Sequence, residues 1–523
     1  TMASFFILVG TDLFEERRKE VVSKASDYLK KALELQEKIE DDYLHFFLNS
    51  ELAYANLGLW VNLRAASEYT EKIMRRGERS NDHFLLGQAY LTLGNVAYWE
   101  TLAEEDPDKS KEKCRIAIRF NEESARHHLL VCRYDYASQS LGLSEECYFI
   151  LANAETNIEG KRGLLNQAVE VGRKGAEYAQ LSGSSFTMAV LLHSFSKAFY
   201  FLSETETNIG EKKKLLKEAL ELREKHISLC NRLNPPHTWL RGIAQNYLAL
   251  IKADLAKTEE DEAEKRNLLE EAVRGMEECL QICPKSLQIF YESPGQSEFA
   301  ALGFYHDWFG EILTQQYSLT KDEKIIDRAL EVYQDTAQVY QKAGMPSRVA
   351  EAHWKAARLY DRRGEYSKAA DNFEQASKNY QLVAEKIPQF KCFYEDHKSY
   401  MQAWSEFEKA KLAHQKEQYE QSKTHYESAA NLLKSTKRWS YLTPNFSAWA
   451  TLEQAEDLSK REKSEEARQA FQLAAQQFSE AKSSLDEEAK KIESPDEKAN
   501  ALELGEASEH RGEYCLARAE LEE

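Results

Sequence analysis

The sequence predicts an all-α protein, a solenoid of about ten antiparallel helical hairpins stacked side by side. Three observations predict this fold. An apolar pattern recurs about every 51 residues, most prolines fall at one phase of that repeat, and 523 residues contain only 21 Gly and 9 Pro. A turn-rich β protein needs more glycine and proline than this. With 42% hydrophobic and 30% charged residues, the composition favours long helices that have one solvated face.

The repeat is clearest in the first half of the chain. Glu-Thr-Asn-Ile at Glu155–Ile158 recurs 51 residues later at Glu206–Ile209, and each copy precedes two apolar residues, two polar residues and an alanine. A small residue at the last position lets two helix backbones approach closely. Because one hairpin cannot bury its apolar face alone, each is expected to stack on the next. The predicted anchor positions are Ala117, Ala168, Ala219, Ala272, Ala329, Ala369, Ser422, Ala467 and Ala517.

Prolines are predicted to mark the junctions between one hairpin and the next, because a proline stops or starts a helix. The prolines at this phase are Pro235, Pro236, Pro284, Pro346, Pro388, Pro444 and Pro495. Helix is also disfavoured across Ser293-Pro294-Gly295. The predicted organisation is an N-terminal stub or cap at 1–11, a helical array at 12–283, a hinge or linker at 284–297, and a second array at 298–523.

Residues 350–376 resemble a tetratricopeptide repeat, with Tyr360, Gly364, Tyr366, Ala369, Phe373 and Ala376 at the offsets of that helix-turn-helix motif. Looser copies lie at 419–429 and 467–474. A last copy (Leu504, Gly505, Gly512, Tyr514, Ala517, Leu521) stops before its second helix is complete. The anchors here are 40 to 57 residues apart, whereas the family unit has about 34. The resemblance implies a right-handed superhelix with a concave, partner-binding groove lined by the first helices.

The phase of the resemblance implies which residues face that groove. The candidate partner-binding residues are Trp354, Arg358, Trp404, Phe407, Lys411, His414 and Trp449. Aromatic and arginine side chains often anchor partners at interfaces. Arg358 and Lys411, in an acidic chain, favour an acidic or C-terminal carboxylate segment. Alternatively, the three tryptophans pack between adjacent repeats. The carboxylate clamp of some chaperone-binding repeats does not align with this sequence.

The sequence offers no recognisable catalytic, cofactor or metal motif, and an enzyme is not expected. His128 and Cys132 are spaced to share a helix face, but nothing identifies a third group to orient them. The formal charge of −19 argues against nucleic-acid binding. No run approaches the roughly 18–20 apolar residues that span a bilayer. Eight cysteines without a CxxC pair indicate reduced thiols in the cytoplasm.

The predicted function is therefore a non-catalytic protein-interaction scaffold that binds a peptide or protein surface in its groove. One alternative is a sensory or autoinhibitory arm of a larger protein, with a protease, nuclease or ATPase effector domain outside these residues. The incomplete last repeat favours that alternative, because it leaves an uncapped apolar edge. Self-association through the same edge is a third possibility.

Overall fold

The structure, a computed structural model, describes residues 27–28, 30–32, 34, 63–104, 106–233, 238–288, 296–492 and 495–522. Within these ranges the regular structure is helical throughout, which confirms the predicted all-α class. Packing between helices divides the chain into two units, unit 1 at residues 1–294 and unit 2 at residues 295–523. The predicted cap at residues 1–11 lies outside the described residues.

From residue 63 onward, the described part of unit 1 consists of one helix followed by four hairpins, in each of which two long helices pack against each other across a short turn. Its helices are α1 (Leu63–Ser80), α2 (His83–Ala103), α3 (Pro107–Leu130), α4 (Tyr134–Asn153), α5 (Ile158–Ser182), α6 (Ser185–Glu204), α7 (Ile209–Arg232), α8 (Thr238–Thr258) and α9 (Glu262–Gln288). Each second helix also packs against the first helix of the next hairpin, so the unit is a continuous stack.

The described part of unit 2 consists of four hairpins followed by one further helix, and it has the same order of contacts. Its helices are α10 (Gln296–Thr320), α11 (Glu323–Lys342), α12 (Pro346–Arg362), α13 (Tyr366–Lys386), α14 (Lys391–Gln415), α15 (Tyr419–Lys434), α16 (Thr443–Lys460), α17 (Ser464–Ala489) and α18 (Pro495–Leu521). Single 3-10 turns precede α14 (Pro388–Phe390) and α16 (Ser440–Leu442). No described helix of either unit is both long and apolar enough to cross a membrane.

Helix capping explains the repeated Glu-Thr-Asn-Ile sequence. Asn157 and Asn208 are the N-cap residues of α5 and α7, and their side-chain oxygens accept hydrogen bonds from backbone N–H groups of the first turn. Asp82, Asp106 and Asp322 do the same for α2, α3 and α11. The first N–H groups of a helix have no partner within the helix, so these side chains fix where each helix begins.

The anchor positions lie in the core as the repeat predicts. The eight that are fully buried, each 0% exposed, are Ala117, Ala168, Ala219, Ala272, Ala329, Ala369, Ser422 and Ala467. Around Ala369, the turn between α12 and α13 places Gly364 at φ +71°, and Phe373 and Ala376 pack inward. The left-handed conformation of Gly364 is one that glycine adopts without strain. The prediction of tetratricopeptide-like helical repeats is confirmed.

The predicted last copy of the motif is wrong. Helix α18 continues without a turn through Gly512, and Ala517 is exposed rather than buried. An unbroken stripe at helical spacing, Ala501, Gly505, Ser508, Gly512, Cys515 and Ala519, faces the rest of unit 2. A stripe with steps of three and four residues favours one continuous helix. Here the helical spacing of the buried residues is a better guide to the structure than Gly512, which the motif places in a turn.

The proline rule holds only in part. Pro346 and Pro444 occupy the first turns of α12 and α16, and Pro495 begins α18. Pro284 was predicted at a junction but lies inside α9, which continues one turn further to Gln288. Pro284 has no N–H to donate to the carbonyl four residues earlier, and α9 continues for one more turn without that hydrogen bond. Both ends of the predicted linker at 284–297 are therefore helical, and its middle, 289–295, lies outside the described residues.

Two glycines on α10 pack directly against tyrosine rings of α11, and this close packing gives a first testable prediction. A Cβ atom on Gly310 would lie 2.5 Å from Cε1 of Tyr333. Gly310→Ala is therefore expected to lower the free energy of unfolding by about 1–3 kcal/mol, through overpacking. Gly163→Ala on α5 is the matched control, because a Cβ atom added at Gly163 would have no other atom within 4 Å. It should stabilise the protein by about 0.5–1 kcal/mol. Urea denaturation measures both, and a stabilising Gly310→Ala would contradict the packing described.

Candidate functional site

A cavity of about 480 Å³ opens between the first helices of unit 2. It lies between α12, α14 and α16, and the first half of α18 forms one wall. We refer to it as the aromatic cavity. Its lining residues are Trp354, Lys355, Arg358, Asp361, Arg362, Phe373, Tyr400, Trp404, Phe407, Lys411, Asn445, Trp449, Glu497, Asn500, Glu503, Leu504 and Ala507. Six of the seven residues that the sequence singles out are among them.

The floor of the aromatic cavity is a chain of touching rings. Trp354 meets Tyr400 edge-on at 5.9 Å between ring centroids, and Tyr400 meets Trp404 at 6.2 Å. Trp404 contacts Phe407 at 5.1 Å, and Phe407 contacts Trp449 at 6.1 Å. These edge-to-face geometries are favourable for aromatic pairs. The three predicted tryptophans are thus joined through Tyr400 and Phe407 into one surface that extends from α12 to α16.

These aromatic residues have a packing role and line the cavity at the same time. Phe407 is only 5% exposed and belongs to the core of unit 2, whereas the three tryptophans are partly buried and pack against that core. The two interpretations of the tryptophans, groove surface and packing between repeats, are therefore compatible. Because each ring is held by its neighbours, the floor is preorganised, and little side-chain entropy would be lost on binding.

The positive charge of Lys411 is balanced by carboxylates of the same chain. Its Nζ lies 2.5 Å from Oδ1 of Asp361 and 3.1 Å from Oε1 of Glu408. Burial acts to lower the pKa of Lys411, but the two carboxylates outweigh burial and raise it. The side chain of Glu408 is 0% exposed, and burial raises its pKa to about 8. Lys411 is accordingly committed to an internal ion-pair network, and it is a weaker anchor for an acidic ligand than the sequence suggested.

Arg358 and Arg362 differ from Lys411. Both are exposed residues of α12 and line the aromatic cavity. Arg358 Nη2 lies 3.4 Å from the side-chain oxygen of Asn500 on α18, a neutral and distant contact. In the part of the chain that the structure describes, neither guanidinium has a carboxylate partner. Their neighbour Lys355 is paired, at 2.7 Å from Asp307 and 2.6 Å from Glu311.

Comparison with known proteins points to helical repeats. Residues 250–392 match the family model described as soluble NSF attachment protein, SNAP. The chain is similar to helical-repeat proteins. No curated protein sequence matches it.

Several solved structures are similar to this chain at low sequence identity. The apo form of RapI is 12% identical, with 82% of this chain and 99% of that chain covered and a TM-score of 0.39. A STAND ATPase with a tetratricopeptide repeat sensor, from Pyrococcus horikoshii, is 14% identical over 92% of this chain and 72% of that chain, with a TM-score of 0.35. The human IFIT1 dimer with m7Gppp-AAAA is 12% identical over 78% and 77%, also with a TM-score of 0.35.

His414, the seventh predicted residue, does not line the aromatic cavity. Its Nδ1 lies 2.9 Å from Oε1 of Glu453, whose side chain is 0% exposed. The hydrogen bond to Glu453 raises the pKa of His414. His414 is half exposed at the end of α14, so its visible role is to satisfy a buried carboxylate.

The thiol–imidazole pair does not form. Helix α3 ends at Leu130, and Cys132 occupies the following turn at φ 58°, so it does not share a helix face with His128. His128 is fully buried and stacks on Tyr136 at 5.0 Å, and burial lowers its pKa to about 4. Within the described ranges, no three His, Cys, Asp or Glu side chains converge as metal ligands.

Several lining residues are not among those that the sequence predicts. Arg362 is one helical turn after Arg358, and Tyr400 is one turn before Trp404, so helical spacing could have identified both. Leu504 and Ala507 could not be found in this way. They line the cavity because of how the first half of α18 packs on the rest of unit 2, which the phase of the motif does not indicate.

Proposed function

We propose that this protein is a non-catalytic interaction scaffold that holds a peptide segment of a partner protein in the aromatic cavity of unit 2. The observation that carries the proposal is that residues predicted from the sequence converge on one cavity. Six residues singled out from the sequence, on three successive first helices, line one cavity of about 480 Å³. Ligand sites commonly measure about 300–1,000 Å³ and combine an apolar lining with a few polar groups.

The composition of the lining supports a peptide ligand. The floor supplies large, rigid aromatic surfaces, and the rim supplies arginine, and both residue types dominate binding energy at protein interfaces. Leu504 on α18 packs against the same core cluster and extends the apolar surface to the opposite wall. An apolar side chain of a partner would therefore be enclosed on several sides.

Filling the cavity tests the proposal. Ala507 is an exposed cavity residue of α18, so Ala507→Trp places a large ring in the space without removing a core contact. Ala517→Trp is the matched control, on the exposed face of the same helix and outside the cavity. Displayed random 12-residue peptides are first selected on the full-length protein. Affinities of the selected peptides for each variant are then measured by fluorescence polarisation.

Ala507→Trp is expected to weaken binding of the selected peptides by about tenfold or more, and Ala517→Trp to leave it unchanged. Both variants should retain wild-type helicity by circular dichroism. Equal binding to Ala507→Trp and wild type would contradict the proposed site. Failure to enrich any peptide above a selection without protein would contradict peptide binding itself.

A further inference from the structure

We infer that the segment bound in the aromatic cavity is acidic, and that two of its carboxylates pair with Arg358 and Arg362 while an apolar side chain enters the cavity. This inference rests on the proposed function. It names the chemistry of the partner, and it replaces Lys411 with Arg362 as the second cationic anchor.

The geometry of the two arginines suits a pair of carboxylates. They lie four residues apart on α12, so their side chains leave the same helix face about 6 Å apart. Both are exposed, and both line the cavity. A guanidinium presents a planar fork of donors that matches a carboxylate, which makes arginine the preferred cation for such recognition.

Several of the surrounding cations, by contrast, have a carboxylate partner. Lys355 pairs with Asp307 and Glu311, and Lys411 pairs with Asp361 and Glu408. The same is true at the edges of the site. Arg348 pairs with Glu351 at 2.6 Å, Arg363 with Glu365 at 3.0 Å, and Arg438 with Glu497 at 2.7 Å. In a chain of net charge −19, two adjacent arginines left without such a partner at a cavity rim favour an external one.

The charges along the rim are unevenly distributed, and this gives the ligand a direction. The α12 side of the rim carries the two arginines. Helix α18, whose Asn500 lies 3.4 Å from Arg358, carries Glu503 beside Leu504, as well as Glu497, which pairs with Arg438. A carboxylate beside Glu503 would be repelled, whereas one beside the two arginines of α12 would be attracted. The acidic groups of the ligand therefore lie along α12, and its apolar side chain points toward Trp404 and Leu504.

The spacing of the arginines restricts the motif. Two carboxylates match an approximately 6 Å separation when they are two residues apart in an extended strand or four apart on a helix. The expected motif is thus an internal pair of Asp or Glu residues at one of these spacings, with a large apolar residue next to it. A single C-terminal carboxylate would use only one of the two arginines.

Charge reversal tests the inference. The double variant Arg358→Glu, Arg362→Glu is compared with Arg115→Glu, Arg119→Glu, which reverses two exposed arginines one turn apart on α3. The two variants have the same net charge and the same spacing of substitutions. Peptides of 12 residues, selected on wild-type protein, are titrated against both variants. A second selection uses the Arg358→Glu, Arg362→Glu protein as bait.

Selection on wild type is expected to enrich paired Asp or Glu residues beside an apolar residue. Binding of those peptides should fall about a hundredfold on reversal at 358 and 362, less than threefold on reversal at 115 and 119, and weaken in 0.5 M salt. Selection on the reversed protein should enrich Lys and Arg. The neutral pair Arg358→Gln, Arg362→Gln should give an intermediate loss, and it provides a second test that adds no carboxylate to α12.

The outcomes separate this inference from the proposed function. If selected peptides carry no excess of Asp and Glu, or bind the reversed protein equally well, the inference is wrong. If those same peptides still lose affinity for Ala507→Trp, the proposed binding site stands without the acidic preference. If neither Ala507→Trp nor charge reversal affects binding, both proposals fail.

Discussion

Trp404→Ala is expected to lower the free energy of unfolding of unit 2 by about 3–5 kcal/mol, the range for truncation of a large core aromatic residue. Trp404 is held by rings from three helices. It stacks on Phe373 with centroids 6.1 Å apart and meets Phe446 edge-on at 5.4 Å, in addition to its contacts with Tyr400 and Phe407. Urea denaturation followed by circular dichroism measures the loss.

Trp354→Ala is the comparison for this result. Trp354 makes one aromatic contact at the edge of the floor, an edge-on approach to Tyr400, so its truncation should cost clearly less than that of Trp404. A loss below about 1 kcal/mol for Trp404→Ala would mean that the ring is not part of the core. The result also determines how the cavity should be probed. Because Trp404→Ala removes packing, the loss of binding that it causes does not identify a binding residue, and Ala507→Trp is the cleaner test.

Glu408→Gln is expected to change how stability depends on pH. Burial raises the pKa of Glu408 from 4.5 to about 8 in the folded protein. A carboxyl with a raised folded-state pKa makes a contribution that is complete below the unfolded pKa and is lost as pH rises through the folded pKa. Between pH 5 and pH 9 the wild-type protein should therefore lose about 3–4 kcal/mol relative to Glu408→Gln, at about 1.4 kcal/mol per pKa unit.

Glu406→Gln, on the same helix, is the matched control with the opposite sign. Glu406 is also partly buried, but hydrogen bonds from Lys409 and His425 lower its pKa. Its contribution is present above the unfolded pKa and is lost as pH falls through the folded pKa. Glu406→Gln should therefore destabilise the protein at neutral pH and have less effect at pH 4. Urea titrations at several pH values measure both variants. Parallel pH curves for wild type and Glu408→Gln would contradict the raised pKa.

The fold was predictable because it depends on local, repeated patterns. Alanine or serine at the anchor positions, asparagine at the N-caps and apolar residues at helical spacing all carry information within about 50 residues. The turns were harder to locate. Gly364 takes the left-handed conformation in the turn after α12, but Glu417 and Glu462 take it in the equivalent turns after α14 and α16, at φ 54° and 57°. Glutamate rarely adopts this conformation, so its sequence gives no indication of a turn.

The candidate site was predictable only where one helix determines it. Trp404, Phe407 and Lys411 follow helical spacing on α14, and the structure places all three at the aromatic cavity. Two features required the tertiary structure. Lys411 is neutralised by Asp361, 50 residues earlier, and the α18 wall depends on how the first half of that helix packs on the rest of unit 2. Contacts between helices determine which cations have a carboxylate partner. These contacts rule out Lys411 as an anchor for an acidic ligand and identify Arg362 as one.

The most direct test of the central claim, that the aromatic cavity is where a partner segment binds, is hydrogen–deuterium exchange of the full-length protein with and without a selected 12-residue peptide. The claim predicts new protection in α12, α14, α16 and the first half of α18. Protection should be absent in the rest of unit 2 and in unit 1, and it should be lost in Ala507→Trp. Protection confined to unit 1, or to the outer faces of the second helices, would contradict the claim.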